Sequence, residues 1–129
     1  MRIVIIGGTG HVGTFLVPRL VLAGHELIVI SRKHREPYLN HASWKSVRQI
    51  SIDRSEAEKQ NKFGKQIAVL DPDIVIDMIC FTPESVESLV AELYGKIQRF
   101  MLCGTIWVHG HSEQVPTDET QPRKPFGDY

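Results

Sequence analysis

Three glycines, Gly7, Gly10 and Gly13, recur at three-residue spacing within the run Gly7-Gly8-Thr9-Gly10-His11-Val12-Gly13. Residues of this type and spacing can cradle a phosphate. Gly7, directly after the apolar run Ile3 to Ile6, can turn sharply with positive φ because it carries no Cβ. Gly10 leaves nothing between backbone and ligand, so the amides of Thr9, Gly10, His11 and Val12 can approach a pyrophosphate closely. Gly13 lets the following helix pack tightly against the sheet. The free N–H groups and the positive dipole end of that helix then face the anion. The His11 side chain could approach the pyrophosphate too, although an exposed filler would read the same.

The elements around this loop must position it. The order of patterns is an apolar strand, the glycine loop, a helix closing at Ala23-Gly24, and a second apolar run from Leu27 to Ile30. A parallel sheet builds a dinucleotide site with that arrangement. Strands are expected at Arg2–Ile6, Glu26–Ile30, Val47–Ile52, Asp73–Asp77 and Arg99–Cys103. Continuous apolar runs such as Ile74-Val75-Ile76 suit strands covered on both faces. Helices are expected at Val12–Ala23, Glu56–Leu70 and Pro83–Tyr94. Pro83 suits a helix start, with Glu84 and Glu87 near the positive dipole end. Pro18 falls inside the first helix and removes a backbone hydrogen bond, so a kink is expected there. Phe15, Leu16, Leu20 and Val21 keep the apolar face. Ser31–Lys45 lacks periodicity and reads as a loop with a short helical turn. Alternating β and α elements imply a doubly wound parallel sheet of the Rossmann type.

Composition narrows the function classes. In 129 residues, Lys and Arg total 15, Asp and Glu total 15, and the formal charge is zero. That balance argues against nucleic acid or an anionic membrane as the main partner. No apolar run approaches the roughly 18 residues of a membrane helix. The chain opens on a strand rather than a signal segment, which implies a cytoplasmic protein. Cys80 and Cys103 make neither a disulfide framework nor a metal site; buried or cleft-lining thiols are expected. His109 and His111 alternate with no carboxylate or cysteine at ligand spacing, so no metal is expected. Met78, Phe81, Trp44 and Trp107 read as packing residues.

Together these residues resemble the extended short-chain dehydrogenase/reductase family, in its NAD-dependent epimerase/dehydratase branch. The supports are Gly7, Gly10 and Gly13, the Asp53-Arg54 pair after the third strand, the V-x-G ending at Gly110, and the run PTDETQPRKPFGDY. The resemblance covers essentially the whole chain. It implies a dinucleotide cofactor held by the glycine loop, with Asp53 at the adenine, Arg54 alongside or paired nearby, and Met78, Ile79 and Cys80 lining the cofactor after the fourth strand. In the family the second strand usually ends in an acid that bonds the adenosine ribose. Here Ser31, Arg32 and Lys33 stand instead, which removes a repulsion and supplies a fork for a 2′-phosphate. NADP is therefore favoured over NAD, the alternative being a solvated basic loop of Arg32, Lys33 and Arg35.

The resemblance also implies chemistry. Thr105 falls where the family places its catalytic hydroxyl and Tyr129 where it places its acid/base tyrosine. A tyrosine there exchanges a proton with a hydroxyl or carbonyl substrate while hydride moves at the nicotinamide. The family's Lys, four residues past the Tyr, has no counterpart, because the sequence stops at Tyr129. Residues 1–129 are therefore expected to form one dinucleotide-binding domain, incomplete at the C-terminus, lacking the substrate lobe and inactive alone. The intact protein is expected to take a small substrate such as a nucleotide sugar, and a homo-oligomer is compatible with the pattern. Alternatives are a non-catalytic NADP-binding sensor of the atypical branch, or an RNA-binding relative, which the neutral charge disfavours.

Overall fold

The computed structural model describes residues 1–33, 36–111 and 115–124. Its elements are β1 (Arg2–Ile6), α1 (His11–Leu22), β2 (Glu26–Ser31), β3 (Arg48–Ser51), α2 (Arg54–Lys59), α3 (Phe63–Ala68), β4 (Ile74–Asp77), α4 (Pro83–Leu93) and β5 (Arg99–Leu102). Short 3-10 turns follow β2 and β5, at Ala42–Ser46 and Ile106–His109. The strands form one sheet in the order β3-β2-β1-β4-β5, and every pairing is parallel. This is the doubly wound Rossmann-type fold that the alternating pattern implies.

Strand side chains alternate between two cores, as the two-residue period of a strand requires. Val4, Ile6, Ile28, Ile30 and Val75 pack with Ala57 of α2, Phe63 and Ile67 of α3, and Leu89 and Leu93 of α4. Ile3, Ile5, Leu27 and Val29 pack on the opposite face with Val17 of α1 and Trp44. Both faces of β1 and β2 are thus covered, which explains their unbroken apolar runs.

The helices meet expectation at Pro18, where no break was expected, and differ from it after β3. Helix α1 runs unbroken through the buried Pro18. It ends in a Schellman motif, in which Gly24 N–H reaches Val21 O at 2.9 Å and His25 N–H reaches Leu20 O at 3.1 Å, with Gly24 at φ +83°. The single helix expected over Glu56–Leu70 is instead α2 and α3. Asn61 adopts φ +51°, and the same motif recurs there, with Asn61 N–H on Glu58 O and Lys62 N–H on Ala57 O, both at 2.8 Å. Asparagine tolerates the left-handed region, so this sequence can end one helix and open another in place. Helix α2 also begins earlier than Glu56, because the Asp53 carboxylate accepts the Glu56 N–H at 3.1 Å and caps it. Strands β3 and β5 are each shorter than the runs Val47–Ile52 and Arg99–Cys103. Three side chains expected to pack do not: Phe81 is 85% exposed, and Phe15 and Trp107 are each 60%; Cys103, expected to be buried or to line the cleft, is exposed too. Among the described residues no helix is long and apolar enough to cross a membrane.

Candidate functional site

The C-terminal ends of the parallel strands carry the turns that matter. Strand β1 delivers Gly7 at φ +80°, where its N–H bonds Ile30 O at 2.8 Å and ties the turn to β2. Gly13 sits against this turn. A Cβ there would lie 1.9 Å from the Gly8 carbonyl oxygen, so the close approach of helix and loop requires glycine. At Gly10 the nearest atom to an added Cβ is Gly7 O at 3.6 Å. The protein itself does not need a glycine there, and Gly10 lines an open cleft.

Helix α1 begins after Gly10 with no side-chain cap and no acid in its first turn. Helices α2 and α4 are capped by Asp53 and Thr82 and each has a first-turn glutamate, whereas the six-residue α3, entered directly from the Asn61 turn, is uncapped like α1. The first N–H groups of α1 therefore lack acceptors from their own helix and from a cap, and its dipole end remains open to an anion.

A cleft of about 510 Å³ opens over this turn. Its floor is Gly7, Thr9 and Gly10, one wall is Ser31, Arg32, Lys33 and Asp53, and the other is Ile79. It falls within the size range of small-molecule and cofactor pockets. It also lies outside the carboxyl ends of the strands, where open α/β sheets take their ligands. The basic wall is built rather than loose. Ser31 Oγ donates to Lys33 O at 2.7 Å, and Ser51 Oγ, at the end of β3, donates to Arg32 O at 2.9 Å. Both side chains, Arg32 and Lys33, are exposed. A groove of about 430 Å³ beside Trp44, lined by Asn40, His41 and Gln49 among others, has no glycine turn, and the short 3-10 helix it borders is already capped by His41.

The remaining expected site residues divide. His11, Val12 and Gly13 form the first turn of α1 beside the cleft. The His11 ring stacks on Tyr38 at 4.1 Å between centroids, and the Tyr38 N–H donates to Thr14 Oγ1 at 3.1 Å. Together these contacts pin the loop after β2 onto α1. Met78 packs toward the α1-side core and Cys80 is half-buried. Thr105 is exposed and caps the Ile106–His109 turn, accepting the Trp107 N–H at 3.3 Å, and is not among the lining residues. Tyr129 lies outside the described residues, as does Arg35.

Arg54 does not line the cleft. It is 7% exposed, and its Nη1 donates to both oxygens of the wholly buried Asp77 at 2.9 Å. Its Nε donates to Glu58 at 2.6 Å, Ser85 Oγ donates to the same Glu58 oxygen at 2.9 Å, and the guanidinium lies 5.0 Å over the Phe63 ring. Burial disfavours its charge, but the Glu58 hydrogen bond and the Asp77 charge outweigh that and hold its pKa above the ordinary arginine value. Asp77 was not singled out from the sequence. A carboxylate closing the apolar run Ile74-Val75-Ile76 was the available signal, since a buried charge needs a partner.

Comparison with known proteins agrees with this geometry. The profile of the NAD dependent epimerase/dehydratase family matches residues 3–129. The chain is 25% identical over 129 residues to 2'-dehydrokanamycin reductase of Streptomyces kanamyceticus, spanning all of this chain and 34% of that protein. It superposes on a UDP-galactose 4-epimerase with TM-score 0.72 at 22% identity, covering 97% of this chain and 45% of that one. It also superposes on the Bordetella bronchiseptica enzyme WbmG, in complex with NAD and UDP, with TM-score 0.69 at 19% identity, covering 98% and 44%. The chain thus spans about a third of the curated relative and under half of these structures.

Proposed function

Because the chain belongs to the NAD dependent epimerase/dehydratase family, we propose that it is the nicotinamide-dinucleotide-binding part of an oxidoreductase acting on a hydroxyl or carbonyl substrate, such as a nucleotide sugar. One observation carries this reading. The glycine turn, the uncapped start of α1 and the basic wall converge on one cleft at the carboxyl ends of the strands. Each feature has a use for a dinucleotide, and the glycine at Gly10 is one that packing of the fold does not require.

In this reading Gly7, Thr9, Gly10, His11, Val12 and Gly13 hold the pyrophosphate through backbone amides. Asp53 takes the adenine edge while continuing to cap α2. Ser31 shapes the basic turn, and Arg32 and Lys33 grip a 2′-phosphate, so NADP is preferred over NAD. The backbone of Met78, Ile79 and Cys80 lines the nicotinamide half. When bound, the nicotinamide supplies the hydride acceptor and donor. Thr105 and Tyr129 are the proposed acid/base pair, with the tyrosine moving the substrate proton and the threonine orienting the oxygen.

The test is a titration of NADP and NAD against the wild-type chain and Arg32→Ala. Loss of a charge-assisted fork should weaken NADP at least about tenfold, or roughly 1.4 kcal/mol, and leave NAD within about twofold. Equal loss for both cofactors removes the 2′-phosphate role from Arg32. Failure of the wild-type chain to bind either one refutes the dinucleotide reading.

A further inference from the structure

Arg54 and Asp77 join turns that the sheet keeps apart, since β2 and β1 stand between β3 and β4. Arg54 opens α2 directly after Asp53, which lines one wall of the cleft. Asp77 ends β4 two residues before Ile79, which forms the other. Asp77 Oδ1 also accepts the Ile79 backbone N–H at 3.1 Å. Asp53 is thus joined through the backbone to Arg54, and from Arg54 polar contacts run through Asp77 to the Ile79 backbone. The Ile79 side chain in turn rests on the glycine turn, where a Cβ on Gly7 would meet Ile79 Cγ2 at 2.7 Å.

Stability alone is a weak reason for this arrangement. Desolvating two charges offsets most of their attraction, and an apolar pair of similar volume often serves a core as well or better. Arg54 Nη2 is moreover buried without a hydrogen-bond partner, an added cost of keeping the guanidinium here. What a forked, directional pair can do, and an apolar contact cannot, is fix a distance and an angle between two turns.

On the reading that the cleft takes a dinucleotide, we infer that Arg54 and Asp77 are positioning residues. Their ion pair sets the separation of the Asp53 and Ile79 walls. It thereby aligns the adenosine half of the cofactor with the nicotinamide half, without touching either. A ligand that spans both walls depends on the pair, whereas one confined to the adenosine wall and the glycine turn does not.

The double variant Arg54→Met/Asp77→Leu fills the site without charge and separates the two roles. NADP, NAD and the half-length probe ADP are titrated against it and the wild-type chain by calorimetry, after circular dichroism and melting confirm the fold. The tighter of NADP and NAD should weaken about tenfold, roughly 1.4 kcal/mol, while ADP stays within about twofold. Parallel loss of ADP and dinucleotide, or unchanged dinucleotide affinity in the folded variant, overturns the positioning role. Should the double variant not fold, Arg54→Lys keeps the charge but loses the fork. The same split, at about threefold, is then expected, and equal effects on both probes overturn the idea. A wild-type chain that binds neither NADP, NAD nor ADP refutes the dinucleotide reading itself, which is a separate outcome.

Discussion

Replacing Gly13 and Gly10 by alanine, one at a time, should separate what the fold needs from what the ligand needs. By helix propensity alone Gly13→Ala should be favourable, since alanine exceeds glycine by about 1 kcal/mol inside a helix. The structure reverses that sign at Gly13. Its added Cβ would stand 1.9 Å from the Gly8 carbonyl oxygen and 2.4 Å from the carbonyl carbon. Ordinary contact begins near 3.4 Å, so backbone must move by about 1.5 Å, and no side-chain rotation can relieve it. Moving α1 outward by that much loosens Thr14 and Val17, both buried. Overpacking of this kind costs about 1–3 kcal/mol, and backbone-to-backbone overlap belongs at the upper end. Net of propensity, Gly13→Ala should lose about 2 kcal/mol, or about 6–8 °C in Tm for a chain of this size. Gly10 has φ −79° and a Cβ there would make ordinary contact. Gly10→Ala should therefore lose under about 1 kcal/mol, yet weaken dinucleotide binding at least about tenfold by placing a methyl in the pyrophosphate path. Urea and thermal unfolding of the apo proteins, followed by cofactor titration, give both quantities. A Gly13→Ala chain melting at or above the wild-type temperature would refute the packing argument, as would a Gly10→Ala chain destabilised as much as Gly13→Ala.

Two further outcomes concern the buried ion pair and the cap of α4. Asp77→Ala leaves the buried Arg54 Nη1 without a partner while Glu58 still pairs its Nε, so unfolding in urea should show a loss of about 3 kcal/mol, the low end of the cost of breaking a buried pair. Raising the pH to about 9 should not restore stability, because arginine stays protonated. Thr82→Ala removes the hydroxyl that accepts the Ser85 N–H at 3.3 Å and should cost about 1 kcal/mol by the same assay, while ADP and NADP affinities stay within about twofold.

Much of the fold and some of the site could be read from local chemistry. The runs Ile3–Ile6 and Leu27–Ile30 announce two-sided burial because their apolar content exceeds what one covered face requires. Gly7 and Gly13 announce a sharp turn and a close helix, and they occupy φ +80° and a contact no Cβ could enter. The break between α2 and α3 was harder to see. Helical periodicity continues across it, and only the willingness of Asn61 to turn left-handed marks the stop. The start at Arg54 was legible in principle as Asp53 three residues before Glu56, the spacing of a capped helix. Arg54 itself was ambiguous, because a residue beside a cofactor-contacting aspartate can face the cleft or the core. Nothing within its own segment decides between them.

Sequence alone, then, determined the properties that depend on neighbours along the chain. These are the parallel αβ alternation, the glycine turn and the family to which both belong. Tertiary structure alone decided the long-range pairings. Arg54 meets Asp77 across 23 residues of chain, His11 stacks on Tyr38 from another loop, and the Ser51 hydroxyl steadies the Arg32 carbonyl 19 residues away. Spacing along a strand or helix encodes periodicity. It does not encode which polar group will stand opposite a buried charge, because that follows only when the sheet order β3-β2-β1-β4-β5 brings distant turns to the rim of one cleft.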